Sequence, residues 1–356
     1  MNHFFKNLKV VELANVLAGP AVGMFFSELG ADVIKIENKL TGGDVTRSWK
    51  LPSEDVSSPV SAYYASVNWN KTSLFIDFNI KKERERVLEI IREADVVIVN
   101  YKPGDDKKWG MNYAALKKIN PTIIYGQITG FGEKDKRTAF DLVLQAETGF
   151  MYMNGTPQSG PLKMPVAIID LMAAHQLKEG ILLAMMRKMK TGKGGKVSVS
   201  LFDAAVASLA NQAANWLVAN HNPQPIGSLH PNIAPYGEIF ETIDHRKIVL
   251  AIGTDKQFKL LCEFFKSPKL SNKKEFYTNS SRVVHREKLA EILRLEFKKY
   301  SAVKIMKYCY EHDIPAGVVK SVAEVFENKE TKSNLLTTVN AKKKKISVVK
   351  TVALKM

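Results

Sequence analysis

Short apolar segments alternate with helical patterns along the first 200 residues, and this alternation constrains the fold more than any other feature of the sequence. Leu8–Leu13 has strand character, and Gly19-Pro20 marks the turn into a helix. Gly30 occupies the position expected of a helix C′ glycine, and Val33–Ile36 is a second strand. Such alternation favours the α/β class, with a mostly parallel sheet and helices on both faces. Further strands are predicted at Ser73–Asp77, Val96–Val99, Thr122–Gly126 and Lys196–Ser200.

The rest of the chain is predicted to contain long helices, a linker and a smaller α+β unit. Helices are expected over Asp170–Lys190 and Phe202–Asn220, and Pro223–Pro235 is typical of a linker. A hairpin pattern then leads into three further helices. We therefore divide the chain into a large domain over 1–200, a linker helix and loop over 201–230, a small domain over 231–318, and a return linker toward the large domain over 319–356.

The net charge of +16 raises the hypothesis of nucleic-acid binding, but the distribution of the charge argues against it. Seven lysines and no acidic residue lie between Thr331 and Met356, so nearly half of the surplus belongs to the last 26 residues. The remainder is diffuse, and no recognition-helix or RNA-platform motif is found. We expect a solvated basic tail and no nucleic-acid partner.

Membrane, disulfide and metal sites are not indicated by the sequence. The apolar stretch Ile181–Met186 is far shorter than the roughly 18 residues that a membrane span needs. Cys262 and Cys309 each stand alone in an apolar helical context, so no disulfide framework is expected. The seven histidines lack a metal-ligand spacing. We expect a soluble, cytoplasmic protein that has no membrane partner and no bound metal.

The turn between the first predicted strand and the first predicted helix superficially resembles a dinucleotide-binding fingerprint. Gly19 is followed by Gly23, and Glu37 is placed like the acid that binds a ribose. The fingerprint requires glycine two positions after the first, where this chain has Ala21. This difference argues against a nicotinamide-dependent dehydrogenase. The amides at this helix N-terminus are still suited to an anion or a carbonyl oxygen.

Asp170 is the acidic residue with the strongest functional case. It follows an apolar run and starts a helix, so an ordinary N-cap explains it by itself. The same position suits a nucleophile, because a helix N-terminus favours the carboxylate and apolar surroundings remove water. The two roles are compatible. Asp141 opens another helix, with the same structural explanation and a weaker functional case.

Taken together, eight blocks of sequence resemble the family III CoA transferases, also called the CaiB/BaiF family. The first block is VVELANVLAGPAVGMFFSELGADVIKIE, over Val10–Glu37. The blocks occur in the right order and span about residues 8 to 330, which makes the resemblance specific. The other blocks are Gly43–Arg47, Asn68–Lys71, Val99–Gly104, Tyr125–Gly132, Phe140–Ala146, Thr191–Val197 and Ile314–Gly317.

The resemblance implies a Rossmann-like large domain, a smaller domain, and two chains threaded into an interlocked homodimer. It implies that Asp170 is catalytic and that an acyl-CoA and a small carboxylic acid are the substrates, with no permanently bound cofactor. In the implied mechanism the carboxylate of Asp170 attacks the thioester, forming a mixed anhydride and then an aspartyl-CoA thioester. The acceptor acid completes the exchange.

The resemblance also implies a set of CoA-binding positions. Asn38 replaces an arginine used by some members, with Lys39 beside it as a substitute, and Arg137 stands where others have a basic residue. Lys108 falls at a phosphate-binding position. The complete predicted set is Val16, Leu17, Ala18, Lys39, Val67, Asn100, Tyr101, Lys108, Arg137 and Asp141.

Departures from the family pattern decide between alternatives. Family racemases have Gly-His-Asp where this chain has Ala139-Phe140-Asp141, so the base for α-proton abstraction is missing. This favours a CoA transferase over an acyl-CoA racemase or epimerase. The Gly-rich loop of the formyl-CoA transferases has no counterpart between Pro235 and Thr254. Relatives continue beyond the equivalent of Met356, so we expect a truncated return linker, which keeps an inactive acyl-CoA-binding protein as the third alternative.

Overall fold

The computed structural model describes residues 4–102, 104–339 and 345–355. The chain divides into two compact units, a larger one over 1–154, 161–223 and 333–356 and a smaller one over 155–160 and 224–332. The sequence-based division assigned 201–230 to a linker and 319–356 to a return linker. In the structure, 201–223 and 333–356 belong to the larger unit, and 224–230 and 319–332 belong to the smaller one.

The secondary structure alternates as expected through the larger unit. The strands are β1 (Lys9–Leu13), β2 (Asp32–Asn38), β3 (Thr72–Ile76), β4 (Val96–Val99), β5 (Ile124–Thr129), β6 (Gly155–Thr156), β7 (Gly160–Pro161), β8 (Gly195–Ser200), β9 (Tyr236–Glu241), β10 (Lys247–Ala251), β11 (Ala316–Val318), β12 (Leu335–Val339) and β13 (Lys345–Val349). Short 3₁₀ segments occupy Lys39–Thr41, Val45–Ser48 and Lys329–Asn334.

The helices follow the same chain order. They are α1 (Ala18–Glu28), α2 (Ala62–Ala65), α3 (Lys81–Arg92), α4 (Asp105–Lys108), α5 (Tyr113–Ile119), α6 (Asp141–Glu147), α7 (Phe150–Met153), α8 (Ile168–Thr191), α9 (Leu201–Ala207), α10 (Ala210–Ala219), α11 (Asp255–Phe264), α12 (Pro268–Ser271), α13 (Asn279–Val284), α14 (Arg286–Phe297), α15 (Ala302–Glu311) and α16 (Val322–Glu327). No helix within the described ranges combines the length and the apolar character needed to cross a membrane.

Six parallel strands form the central sheet of the larger unit, in the order β3-β2-β1-β4-β5-β8. The expectation of an α/β unit with a parallel, Rossmann-like sheet is confirmed. Helices α1 and α8 cover one face, and α3 and α5 cover the other, each over its own apolar core. Strand order reverses between β1 and β4, which opens a crevice at their carboxyl ends.

Three details of the sequence-based assignment are wrong. The strand placed at Thr122–Gly126 is β5, which runs over Ile124–Thr129. The single helix placed at Phe202–Asn220 is broken into α9 and α10, and at the break Ala210 adopts a left-handed φ of 47°. The helix placed at Asp170 begins at Ile168, with Ala167 as its N-cap residue.

The smaller unit is an α+β structure, as the sequence predicts. Its antiparallel sheet has the order β11-β10-β9, and an apolar core joins it to helices α11, α14 and α15. Cys262 and Cys309 are free and buried in this core. Both therefore behave as small apolar side chains.

Part of the predicted basic tail is ordered against the larger unit. Strands β12 and β13 form an antiparallel hairpin, and Lys342, Lys343 and Lys344 lie outside the described residues. After β13 the Glu28 carboxylate accepts hydrogen bonds from the Thr351 N–H and hydroxyl, at 2.8 and 2.7 Å. The expectation of a wholly solvated tail is therefore wrong for 345–352, because this segment has its own backbone and side-chain partners.

Candidate active site

A cavity of about 370 Å³ lies at the carboxyl ends of the parallel strands, where the strand order reverses. The loops after β1, β4 and β5 form its walls, together with the first turn of α8 and the residue that follows β8. Ligands of doubly wound sheets bind at this position. The cavity is therefore the candidate active site of the larger unit.

The turn between β1 and α1 forms one wall and has an unusual backbone. Val16 adopts a φ of 71°, a conformation that is rare for a β-branched residue. Asn100, directly after β4, binds the same turn: its Oδ1 accepts the Asn15 N–H at 2.9 Å and its Nδ2 donates to the Asn15 carbonyl at 2.7 Å. Gly19 allows a close approach, because a Cβ there would lie 2.4 Å from the Cβ of Ala14.

Asp170 lies in the first turn of α8 and contributes to the cavity wall. The interpretation of Asp170 as an N-cap is wrong, because the cap residue is Ala167 and no side chain of α8 caps the helix. Asp141 supplies that interaction from α6, where its Oδ1 accepts the Ile169 N–H at 2.8 Å. Among the described residues none donates a hydrogen bond to the Asp170 carboxylate, which is therefore available to a ligand.

Asp141 is held in place by a neighbouring side chain on α6. Gln145 Nε2 donates to Asp141 Oδ2 at 2.6 Å, and Gln145 Oε1 accepts the Met164 N–H at 2.7 Å. The two side chains thus connect α6 to the start of α8 and to the segment before it. Because α8 begins at a position that α6 fixes, the backbone that carries Asp170 is fixed as well.

The Asp170 carboxyl group is in a desolvated and electrostatically unfavourable environment. Its residue is 7% exposed. Burial, and secondly the negative charge of Asp141, raise the pKa of Asp170 to about 7. Burial, followed by the charges of Asp170 and Asp141, raises the pKa of the nearby Tyr63 to about 12. A carboxylate without hydrogen-bonded solvent or a cation is a strong nucleophile for its type.

Six of the predicted CoA-binding residues line the cavity together with Asp170. They are Val16, Leu17, Ala18, Asn100, Tyr101 and Arg137. The structure therefore brings together residues that are far apart in the sequence, although their role in CoA binding stays a prediction.

Four other predicted residues are not in the cavity wall. Lys39 is exposed, with its Nζ 4.0 Å from Glu83 Oε1, and Val67 is buried in the apolar core. Lys108 is exposed at the end of α4, where its Nζ lies 5.8 Å from the Trp109 ring centre. The fourth, Asp141, is directed to the backbone of α8 as described above.

Arg137 lines the cavity, but its charge already has two acidic partners. Its guanidinium lies 2.9 Å from an Asp135 oxygen and 3.1 Å from Glu147 Oε2. It also stacks over Phe131, 3.6 Å from the ring centre. A phosphate at this position competes with two carboxylates for the same donors.

An aromatic wall that the sequence did not indicate lies on the other side of the cavity. Phe78 and Trp109 stack at 5.1 Å, and Tyr101 meets Trp109 edge-on at 5.6 Å. Only Tyr101 was expected there. Trp109 follows Lys108 directly, but nothing in the local pattern distinguishes it from a core aromatic residue. Gln145 and Tyr63 were missed as well, since the contact of Gln145 with Met164 and the proximity of Tyr63 to Asp170 are long-range.

No group of three or more His, Cys, Asp or Glu side chains suited to a metal ion occurs in the described part of the chain.

A family model for CoA-transferase family III matches residues 5–355 of the sequence. The chain belongs to CoA-transferase family III. The resemblance found in the sequence is thereby confirmed, and so is the expectation of an enzyme of the CoA-transferase class.

Relatives and solved structures support the same assignment for this family III chain. It is 35% identical to a succinate–glutarate CoA-transferase of Agrobacterium fabrum, covering 92% of this chain and 82% of that protein. It is 32% identical to the human succinyl-CoA:glutarate CoA-transferase, covering 92% and 74%. A CaiB/BaiF family protein from Brucella suis has a similar structure, with a TM-score of 0.88, 35% identity, and coverage of 100% of this chain and 93% of that one.

Proposed function

We propose that the protein transfers CoA from an acyl-CoA to a short dicarboxylic acid through an aspartyl-CoA thioester on Asp170. One observation carries the proposal: a buried carboxylate with no hydrogen-bond donor among the described residues borders the cavity at the strand switch point. The named activities of the relatives, which act between succinate and glutarate, support the dicarboxylic class.

The proposed reaction needs only Asp170 as a covalent group. One oxygen of its carboxylate attacks the thioester carbonyl carbon, the C–S bond breaks, and CoA leaves as a thiolate. The thiolate then attacks the aspartyl carbonyl of the mixed anhydride and releases the donor acid. The acceptor carboxylate attacks the carbonyl carbon of the aspartyl thioester, the C–S bond breaks, and a second mixed anhydride forms. The released thiolate then attacks the acceptor acyl carbon of this anhydride and breaks its bond to the Asp170 oxygen. This last step forms the new acyl-CoA and restores Asp170.

The first turns of two helices supply electrostatic stabilisation. Asp170 is in the first turn of α8, a helix of 24 residues, whose N-terminal field favours negative charge. Ala18 begins α1 and also lines the cavity, and the first amides of a helix have no intrahelical acceptor. Oxyanions that form during attack on the thioester are stabilised by such donors.

The CoA molecule is proposed to lie along the walls that the family resemblance and the cavity share. Val16, Leu17, Ala18, Asn100 and Tyr101 form the contact surface, and Trp109 with Phe78 offers a flat apolar face for the nucleobase. Lys39 and Lys108 are proposed as phosphate-binding cations, with Val67 and Asp141 supporting the wall from behind. Arg137 contributes if it releases a carboxylate partner.

We also propose an interlocked homodimer that acts in the cytoplasm. The family resemblance supports the dimer, and so does the apolar surface of α10, where Leu217 and Val218 are 78% and 86% exposed. The two free, buried cysteines are typical of proteins in a reducing compartment.

Mass spectrometry of the intact protein tests the covalent intermediate. After incubation with succinyl-CoA and no acceptor acid, we expect an adduct of CoA mass on Asp170, localised by peptide fragmentation. Asp170→Asn is the matched control and should carry no adduct. An adduct on another residue, or transfer without any adduct in a rapid-quench series, would contradict the mechanism.

A second experiment distinguishes CoA transfer from acyl-CoA racemisation. Phe140 lines the cavity where racemases have a histidine, and phenylalanine cannot exchange a proton. With a 2-methylacyl-CoA in deuterated water, we expect no enzyme-dependent deuterium at the α-carbon by NMR. Incorporation as fast as CoA transfer would favour the racemase.

A further inference from the structure

Four charged side chains are buried together beneath the turn between β1 and α1. The carboxylates of Glu12 and Asp44 and the ammonium groups of Lys35 and Lys71 all have fully buried side chains. Lys35 Nζ lies 2.8 Å from Glu12 Oε1 and 3.1 Å from Asp44 Oδ2, and Lys71 Nζ lies 2.7 Å from Glu12 Oε2. We call these four residues the buried charge group. Its formal charges sum to zero.

The buried charge group binds the backbone of the β1–α1 turn at its strained residue and just before it. Lys35 Nζ donates to the Ala14 carbonyl at 2.6 Å. The Asp44 carboxylate accepts the Val16 N–H at 3.1 Å. Val16 has the positive φ described above, a conformation that persists only when surrounding contacts impose it. These two contacts are of that kind.

Lys71 binds the far end of the same turn. Its ammonium donates to the Pro20 carbonyl at 2.8 Å, to Glu12 Oε2 at 2.7 Å and to Asn68 Oδ1 at 2.9 Å. The three N–H donors of the Lys71 ammonium thus meet three acceptors, so its hydrogen-bonding capacity is fully satisfied. Pro20 lies in the first turn of α1. Lys71 therefore connects the start of that helix to the charges beneath β1.

Ion pairs buried to this extent are costly to desolvate and add little stability over apolar packing. Their best-attested use is to impose one arrangement on the backbone around them. None of the four side chains lines the cavity, whereas Val16, Leu17 and Ala18 of the turn do. An effect of Lys71 on a bound ligand is therefore indirect, and its hydrogen bond to the Pro20 carbonyl leads to the turn.

We propose that Lys71 is a positioning residue for CoA. Together with Lys35 and Asp44, Lys71 fixes the β1–α1 turn in the conformation that forms the cavity wall facing the ligand. The choice of CoA as the ligand rests on the proposed function. The structural part of the proposal is that the buried charge group holds residues 14–20 rigid, and this part does not depend on the proposed function.

Lys71→Met tests the proposal, since methionine keeps the apolar length and removes the donors. Hydrogen–deuterium exchange should accelerate by about tenfold in peptides covering residues 14–20. Calorimetry should give a CoA dissociation constant raised by about tenfold, and the KM for succinyl-CoA should rise similarly while kcat changes less than about threefold. A loss of stability alone does not produce this split between KM and kcat.

Two controls accompany the variant. Ile91→Ala opens a cavity in the core on the opposite face of the sheet, so it lowers stability without touching residues 14–20. Lys9→Met removes a lysine whose ion pair with Glu93 is half exposed. Both should keep wild-type exchange in the turn and wild-type CoA affinity.

Lys71→Met leaves the buried Glu12 carboxylate with one cation fewer, which can prevent folding. A second variant tests the proposal in that case. The double variant Glu12→Gln with Lys71→Met removes both charges and keeps the Lys35–Asp44 pair. It should fold and still show faster exchange in residues 14–20 together with weaker CoA binding.

Two results would overturn the proposal: unchanged exchange in residues 14–20, or faster exchange with unchanged CoA affinity. If the wild-type protein binds no CoA, the proposed function fails, and so does the role of Lys71 toward that ligand. The exchange data then still decide whether the buried charge group holds the turn.

Discussion

Asp170 and Glu37 are both buried carboxylates of the larger unit, and their surroundings have opposite effects. Glu37 accepts hydrogen bonds from Arg47 at 2.6 and 2.8 Å and from the Tyr64 hydroxyl at 3.0 Å. Burial by itself would raise its pKa, but the Arg47 guanidinium and the Asp44 N–H lower the pKa of Glu37 to about 2. At Asp170 burial has no such opposition, and the pKa rises to about 7.

The comparison separates a paired carboxylate from an unpaired one within the larger unit. Glu37 is firmly ionised because each of its oxygens has donors, so its lone pairs are occupied. Asp170 has no donor among the described residues and borders a cavity. Both carboxylates are buried, so the presence of hydrogen-bond donors and a cation at Glu37, and their absence at Asp170 among the described residues, distinguishes the two. The predictions below change that pairing at one residue or the other.

The largest expected effect is that of Asp170→Asn on activity. Transfer should fall by about a thousandfold or more, because the amide cannot form the anhydride. CoA binding should stay within several-fold of wild type. Steady-state transfer and calorimetry measure the two quantities, and near-normal turnover would remove the proposed mechanism.

The same variant should be more stable. Above pH 7 the folded protein holds an ionised Asp170 whose pKa is about 7, against 3.8 for the ordinary group. Burying the ionised form therefore costs up to about 4 kcal/mol, which asparagine avoids. Urea unfolding at pH 8 should show the gain, and Asp32→Asn, at an exposed position, should show none.

Arg47→Met should have the next largest effect, on stability. It leaves Glu37 buried and unpaired, at a cost of about 3 to 5 kcal/mol near pH 7. The folded pKa of Glu37 lies below the ordinary 4.5, so its contribution to stability is present above pH 4.5 and is lost as the pH falls toward 2. The variant should therefore lose less stability on acidification than wild type.

Urea unfolding from pH 6 to pH 3 measures that difference. The double variant Arg47→Met with Glu37→Gln should recover part of the loss, since no unpaired charge remains. Identical acid dependence in wild type and Arg47→Met would contradict the contrast drawn between the two carboxylates.

The smallest expected effect is the pH dependence of wild-type transfer. Only the ionised form of Asp170 attacks a thioester, so kcat/KM should fall about tenfold per unit below pH 7 and level off above it. Asp141 and Tyr63 are the titratable groups that face it. Circular dichroism at each pH controls for unfolding, and a flat profile from pH 5 to 8 would show that Asp170 is paired in solution.

Much of the fold could be predicted from the sequence because its signals are local. The apolar run of β4 was located to the residue, and Gly30 follows the end of α1 as predicted, whereas Gly19, predicted in the turn before the helix, lies within its first turn. The break between α9 and α10 was not foreseen. The left-handed φ of Ala210 at this break has no local signal, since alanine is the residue most typical of a continuing helix.

The candidate site was predictable only in part. Asp170 was correctly singled out as an acid at a helix start, but its interpretation as a cap was wrong, since Asp141 of another helix takes that role. Arg137 was placed at a basic position of the family pattern, and in the structure its guanidinium has two carboxylate partners, Asp135 and Glu147. The contact between Asp141 and Ile169 joins two helices, and no local pattern encodes it.

The sequence by itself determined the class of fold, the order of its elements and the family, and it singled out Asp170 as the acid with the strongest functional case. These depend on periodicity, turn residues and motifs that are read along the chain. The tertiary structure decided the surroundings of each buried acid. Desolvation and pairing depend on what the fold brings within a few ångströms: Arg47 at Glu37, Lys35 and Lys71 at Glu12, and, among the described residues, the negative charge of Asp141 but no cation near Asp170.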